Sequence, residues 1–202
     1  MDIERPSEQL ASGQYEGKKE DLLKGFRLFQ KKYAYKNVII QLMLVVIAIG
    51  INVVNILTAK DGDVGASFVV IFFCLLIGIN CIITPKRTYN KLSQALDQLE
   101  GAVYGADVFT DKVIISTLYD PLVKGKEDKE SEEEGDGKDL PPATLIHTDN
   151  GGVEMLEAED MYIIYIRKVN VYVIPKSAFS DGENKEIHDR YQLIMGTRYK
   201  VI

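Results

Sequence analysis

Two runs of the chain, residues 38–57 and 64–83, hold twenty residues each without one charged side chain, and only six residues separate them. At ~1.5 Å of rise per residue, an apolar helix of that length matches the ~30 Å hydrocarbon core of a bilayer. A helix that is apolar on every side must be surrounded by other protein or by lipid. Nearly back to back, the two runs predict a transmembrane helical hairpin, with spans at about 38–58 and 64–84.

The whole-chain averages conceal this signal. A mean hydropathy of -0.05 and 27% charged residues suit a soluble domain, because an apolar block is averaged with polar flanks. Divided by composition, the chain has a cytoplasmic N-terminal segment (1–36), the hairpin (37–85) and a mixed region (86–202) long enough for one small domain. A largely polar stretch of more than thirty residues precedes the first run, which does not fit a cleavable signal. The net charge of -6 is concentrated: residues 126–139 carry eight acidic and three basic side chains, supplying five of the six net negative charges. The surrounding stretch, 124–142, has few apolar residues to bury and is expected to form a disordered acidic loop. An acidic chain without basic stripes argues against nucleic acid as a partner.

Charge also orients the hairpin. Lys24, Arg27, Lys31, Lys32 and Lys36 precede the first run, and Lys86, Arg87 and Lys91 follow the second, whereas the connecting residues offer Lys60 beside Asp61 and Asp63. The positive-inside rule therefore predicts a multi-pass cell-membrane protein with both termini cytoplasmic. Trp is absent, so Tyr33, Tyr35 and Tyr89 are the candidates for the aromatic belt. Lys31, Lys32, Lys36, Lys86 and Arg87 are candidate contacts to anionic headgroups. Inside the spans, Gln41, Asn52, Asn55 and Asn80 are candidate helix–helix contacts, and Gln41 and Asn80 fall at similar depth in an antiparallel hairpin. No ionisable residue lies within either run, and two helices cannot enclose a substrate path. Cys74 and Cys81, the only cysteines, are ~10 Å apart along one helix, beyond the reach of a disulfide. They read as small apolar residues, with an interchain disulfide or palmitoylation as alternatives.

Outside the spans, residues 16–35 predict an amphipathic helix, with Leu22, Leu23, Phe26, Phe29 and Tyr33 on one face and Lys and Arg opposite. It can lie on headgroups or pack on the C-terminal domain. Pro85 should end or bend the second span, with helical patterning resuming over 87–100. Residues 103–110 and 113–119 read as a β-hairpin turning at Asp111-Lys112, and 153–157, 161–167 and 171–174 as further strands, stopped at Pro175. A last helix over 183–195, capped by Asp181 or Asn184, should present Ile187, Tyr191, Leu193 and Ile194 to the sheet. The fold expected is an α+β membrane protein: a two-helix transmembrane hairpin plus a small antiparallel domain, with a helix covering a curved sheet or the mouth of a barrel.

No motif carries chemistry. There is no phosphate-binding Gly loop, and His147 and His188 stand apart from cysteine, which excludes zinc spacing. Glu132 to Asp139 offers oxygens without the order of an EF-hand loop. Ser177 and Ser180 lie outside any nucleophile elbow. These residues point away from an enzyme and imply no catalytic residue, metal or cofactor.

The Lys-rich helix GKKEDLLKGFRLFQKK, the hairpin, and the run MYIIYIRKVNVYVIPKSAF leading into a terminal helix together resemble the YcxB-like family of bacterial membrane proteins. The resemblance implies a pleckstrin-homology-like C-terminal domain and no established activity. The acidic insertion at 124–142 departs from the family pattern. Two functions remain: a membrane-anchored interaction module that binds a protein partner or itself, and a domain sensing anionic lipid or another ligand at the inner surface. For the second, Arg167, Lys168 and Lys176 are the candidate contacts.

Overall fold

Strand β1 (Gln9–Glu16) pairs antiparallel with β2 (Val103–Phe109), so the two apolar helices are inserted between neighbouring strands of one sheet. The computed structural model describes residues 7–59, 64–97, 101–121, 140–167 and 169–202. Two compact units result, divided inside helix α1 (Lys19–Phe29): one joins residues up to Gly25 with those from Ala95 onward, and the other is Phe26–Gln94.

The first unit is an α+β domain with two four-stranded sheets. One has the order β1-β2-β3-β4, with β3 at Lys112–Tyr119 and β4 at Thr144–His147, all antiparallel. The other has the order β7-β6-β5-β8, from β5 (Val153–Glu157), β6 (Met161–Ile166), β7 (Asn170–Pro175) and β8 (Tyr199–Val201). β5, β6 and β7 form an antiparallel meander, and β8 joins β5 in parallel. A parallel return needs a long crossover, and helix α4 (Asp181–Met195) supplies it. The small antiparallel domain expected, a curved sheet or the mouth of a barrel covered by a helix, is built as two four-stranded sheets, because β1, β4 and β8 add to the strands anticipated.

Alternation places the core. Ala106, Val108, Val113, Ile115 and Ile146 of the first sheet meet Met155, Tyr162, Ile164 and Ile174 of the second, and Ile187, Tyr191 and Met195 of α4 join the same cluster. In β6 every residue from Met161 to Tyr165 is buried, so this strand is covered on both faces. Gly25 explains part of the cover, since a Cβ there would collide with the side chain of Val173. On α4, Ile187, Tyr191 and Met195 recur at four-residue spacing and form the inner stripe, while Leu193 is 78% exposed and Ile194 42%. These last two, expected on the sheet, fall off the stripe. The helix is capped by Ser180, not by Asp181 or Asn184: Glu183 N–H donates to Ser180 Oγ, and Glu183 Oε2 accepts from Ser180 N–H at 2.8 Å. Those bonds hold the Glu183 carboxyl below its ordinary range, the backbone bond from Ser180 contributing most.

The second unit contains α2 (Tyr35–Thr58) and α3 (Gly65–Leu96, of which Ala95 and Leu96 belong to the first unit). Both helices are long and apolar enough to cross a membrane, and α2 has no buried residue. A π turn, Gln30–Ala34, joins α1 to α2 without a break. Pro85 does not end α3, which runs through it to Leu96. The expected helix over 16–35 is corrected at its start, because the chain is extended until Glu16 and helical from Lys19. The expectation of disorder over 124–142 falls, except for 140–142, outside the described residues.

β1 can be tested through Gly13, where a Cβ would strike the carbonyl oxygen of Ala178. Gly13→Ala should destabilise the domain by about 1–3 kcal/mol, measured by thermal unfolding in detergent with near-ultraviolet dichroism. Unchanged stability would place β1 elsewhere.

Candidate functional site

A constellation of polar side chains on the sheet domain centres on Glu157, at the end of β5. Its residue is 7% exposed, yet the carboxylate is fully engaged. Lys176 Nζ donates to Oε1 at 2.6 Å, His188 Nδ1 lies 2.6 Å from Oε2, and Tyr199 OH also donates to Oε2. Burial pushes the Glu157 carboxyl up, but the hydrogen bonds from Lys176, Tyr199 and His188 outweigh it and hold the group below its ordinary value. Tyr199 is shifted upward, by burial first and then by its bond to the carboxylate. Four elements meet here: β5, the turn Lys176–Ala178 after β7, α4 and β8.

Asn184 extends the network. Its Nδ2 donates to the carbonyls of Lys176, Phe179 and Ser180 at 3.0–3.3 Å, and Tyr162 OH donates to the Asn184 side-chain and backbone oxygens at 3.1 Å. Burial raises the Tyr162 hydroxyl as well. Through these bonds the network ties the second sheet to α4.

Beside it opens a cleft of about 550 Å³ lined by Asp21, Glu159, Asp160, Lys176, Asp181 and Asn184 among others. Lys24 pairs with Asp160 at 2.5 Å, and Lys176 is committed to Glu157. Among the described residues Asp21, Glu159 and Asp181 have no cation within ion-pair distance, so the rim is net acidic. A second groove, of about 290 Å³, is apolar and lined by Tyr15, Tyr104 and Tyr172 together with Leu22, Leu96, Pro141 and Pro142. It runs where β7 faces the strands of the first sheet.

Against known proteins, no family model matches the chain, and neither a curated protein nor a solved structure does.

The candidate residues expected from sequence are scattered. Of the three proposed headgroup contacts on the sheet domain, Lys176 belongs to the Glu157 network, Arg167 occupies a left-handed turn position (φ 50°) after β6, and Lys168 lies outside the described residues. Lys31, Lys32, Lys36, Lys86 and Arg87 are all exposed near the base of the hairpin. Gln41 bridges the helices, but to Cys81, whose Sγ lies 3.3 Å from Gln41 Oε1, and not to Asn80. Asn80 Oδ1 accepts from Thr84 Oγ1, and Asn52 Nδ2 donates to the Ala48 carbonyl, each within its own helix. Asn55 is exposed.

Sequence reasoning missed Glu157 and Arg27. Glu157 and His188 are 31 residues apart, and only the crossover by α4 brings them together. For Arg27 a signal existed: counted outward from the spans, it and Tyr89 flank the same end of the hairpin. Arg27 Nη2 donates to Tyr89 OH at 3.0 Å, with the guanidinium 5.4 Å from the ring centroid.

The Glu157 network carries a pH signature. Because its carboxyl sits below the ordinary value of 4.5, the stabilisation is full above that pH and is lost as pH falls through the lowered value. Glu157→Gln should cost about 2–3 kcal/mol near pH 6, and the gap to the native protein should narrow below about pH 4.5, as read from paired thermal melts. A gap independent of pH would remove the charge from this account.

Proposed function

We propose that this chain is a non-enzymatic, membrane-anchored interaction module. The hairpin spans the cell membrane, and the sheet domain works at the cytoplasmic surface, where it binds a protein partner or another copy of itself. The observation that carries the reading is the pairing of β1 with β2 around the hairpin. Neighbouring strands of one sheet lie on one side of a bilayer, and two crossings return the chain to the side from which it left. The domain is thereby tethered by two passages of chain rather than one.

Further features support the reading. In sequence, the cations Lys31, Lys32, Lys36, Lys86 and Arg87 flank the pair of apolar runs, and Asp61 and Asp63 lie between the runs. That distribution favours a cytoplasmic domain. The succession of a four-stranded meander, a three-stranded meander and a helix is the order expected of a pleckstrin-homology-like domain, in line with the YcxB-like resemblance. Such sheets take peptides at an open edge or beside the helix. Here the acidic cleft between α1, β7 and α4 suits a basic segment.

The topology predicts that a reporter inserted at 60–63 is active only outside the cell membrane and that one fused after Ile202 is active only in the cytoplasm. The opposite pattern would overturn it. For the partner, the intact chain purified in mild detergent should retain one stoichiometric protein or a second copy. Replacing Glu159 and Asp181 together with Lys should weaken that association roughly threefold to tenfold. Retention of lipid alone would refute an interaction module. A fragment starting at 86 is unsuitable for this work, since it lacks β1.

A further inference from the structure

We propose that the base of the hairpin binds one anionic glycerophospholipid, its phosphodiester held by Arg27 and Lys86 and an acyl chain lying along Val38, Leu42 and Ile82. The inference rests on the reading that the hairpin spans a membrane, and it adds a specific site to that reading.

The site is a cavity of about 530 Å³ formed within the unit Phe26–Gln94. Its composition is graded. Arg27, Lys86, Tyr35 and Tyr89 lie among its residues from the helix flanks, while Val38, Leu42 and Ile82 come from the apolar runs. A phospholipid has the same gradient, from charged phosphodiester to hydrocarbon, and Tyr rings favour the level between.

Two features make the polar end more than a cluster of lysines. First, Arg27 is oriented: its bond to Tyr89 OH and its seat over that ring fix the guanidinium, leaving other N–H groups of the planar fork for phosphate oxygens. Neither Arg27 nor Lys86 has a carboxylate within ion-pair distance among the described residues. In sequence, the only acidic residues within 26–94 are Asp61 and Asp63, between the two apolar runs. Among the described residues of this unit the cationic end therefore has no counter-charge. Second, Pro85 has no N–H, so the carbonyl of Cys81 loses its helical donor, and both residues line the cavity. Gln30, placed by the π turn and only 6% exposed, lines it too. A carbonyl without its ordinary helical donor and a buried amide are partners for the hydroxyls of a headgroup such as phosphatidylglycerol. A second copy of the chain fits less well, because its corresponding end presents the same positive charges.

The test uses the full chain reconstituted in vesicles of equal phosphatidylglycerol and phosphatidylcholine, extracted in mild detergent, with bound lipid counted by native mass spectrometry. About one phosphatidylglycerol per chain should be retained over phosphatidylcholine. Arg27→Gln with Lys86→Gln should lower retention about fivefold or more, and Tyr89→Phe, which keeps the ring but frees the guanidinium, about twofold to threefold. Lys91→Gln, outside the cavity, should change it less than twofold. Far-ultraviolet dichroism and the elution volume establish that each variant is folded. Equal retention of the two lipids, an equal loss in Lys91→Gln, or equal protection of the native chain by glycerol 3-phosphate would overturn the site. Alkaline carbonate extraction separates the two readings. Protein that resists extraction but retains no phosphatidylglycerol refutes the lipid site alone, and protein that is extracted refutes the spanning hairpin.

Discussion

The ladder between β1 and β2 is the contact on which the architecture depends. It joins residues 9–16 to 103–109, and everything between, including both apolar helices, becomes a closed loop. Closing a flexible loop of about 86 residues costs roughly 4 kcal/mol of chain entropy. In the proposed membrane arrangement much of that cost is met in advance, because a hairpin that enters and leaves by the same face brings its ends together. The sheet and the hairpin then favour each other, and the first sheet is incomplete without the N-terminal strand.

The second sheet is held differently. Its return strand β8 has three residues, too few to stay paired by ladder bonds alone, and side chains anchor it. Arg198 Nη1 donates to the carbonyls of Thr148 and Asn150 at 2.8 Å and of Val153 at 3.3 Å. Tyr199 is buried against Tyr191 and donates to Glu157. Tyr191 OH in turn donates to the carbonyl of Phe109 at 2.7 Å, tying α4 to the first sheet. The polar network around Glu157 is thus a clasp between β5, α4 and the chain terminus, and the acidic cleft beside it inherits a rigid wall.

How much of this was legible in the sequence follows from the strength of each local signal. The two apolar helices, the β2–β3 hairpin and the β5–β6–β7 meander were readable, because long uncharged runs and Val/Ile/Tyr alternation leave few alternatives. β1 was not, since Leu10-Ala11-Ser12-Gly13-Gln14 has small residues where a strand signal needs β-branched ones, and it is a strand only because β2 lies beside it. β4 and β8 are too short to show a period. The N-terminus of α4 was legible and misread: Ser180-Asp181-Gly182-Glu183 spells the reciprocal cap that the structure contains. Leu193 and Ile194 are apolar yet lie off the four-residue stripe of Ile187, Tyr191 and Met195, so hydrophobicity alone does not mark the buried face of α4. Arg27 was legible only as a charge beside the first apolar run and Glu157 not as a site residue at all, since the partners of both are set by tertiary contact.

The most direct measurement is a cross-link across β1 and β2 in the intact chain within its membrane. Ser12 and Asp107 are register partners whose side chains meet at 2.6 Å, and opposed strand residues lie within disulfide reach. With Cys74 and Cys81 replaced by Ser, Ser12→Cys and Asp107→Cys should form an intramolecular disulfide on mild oxidation, seen as a faster-migrating band that reverts on reduction. If the pair stays reduced, or links only between chains, β1 is not closed onto β2 around the hairpin and the account fails.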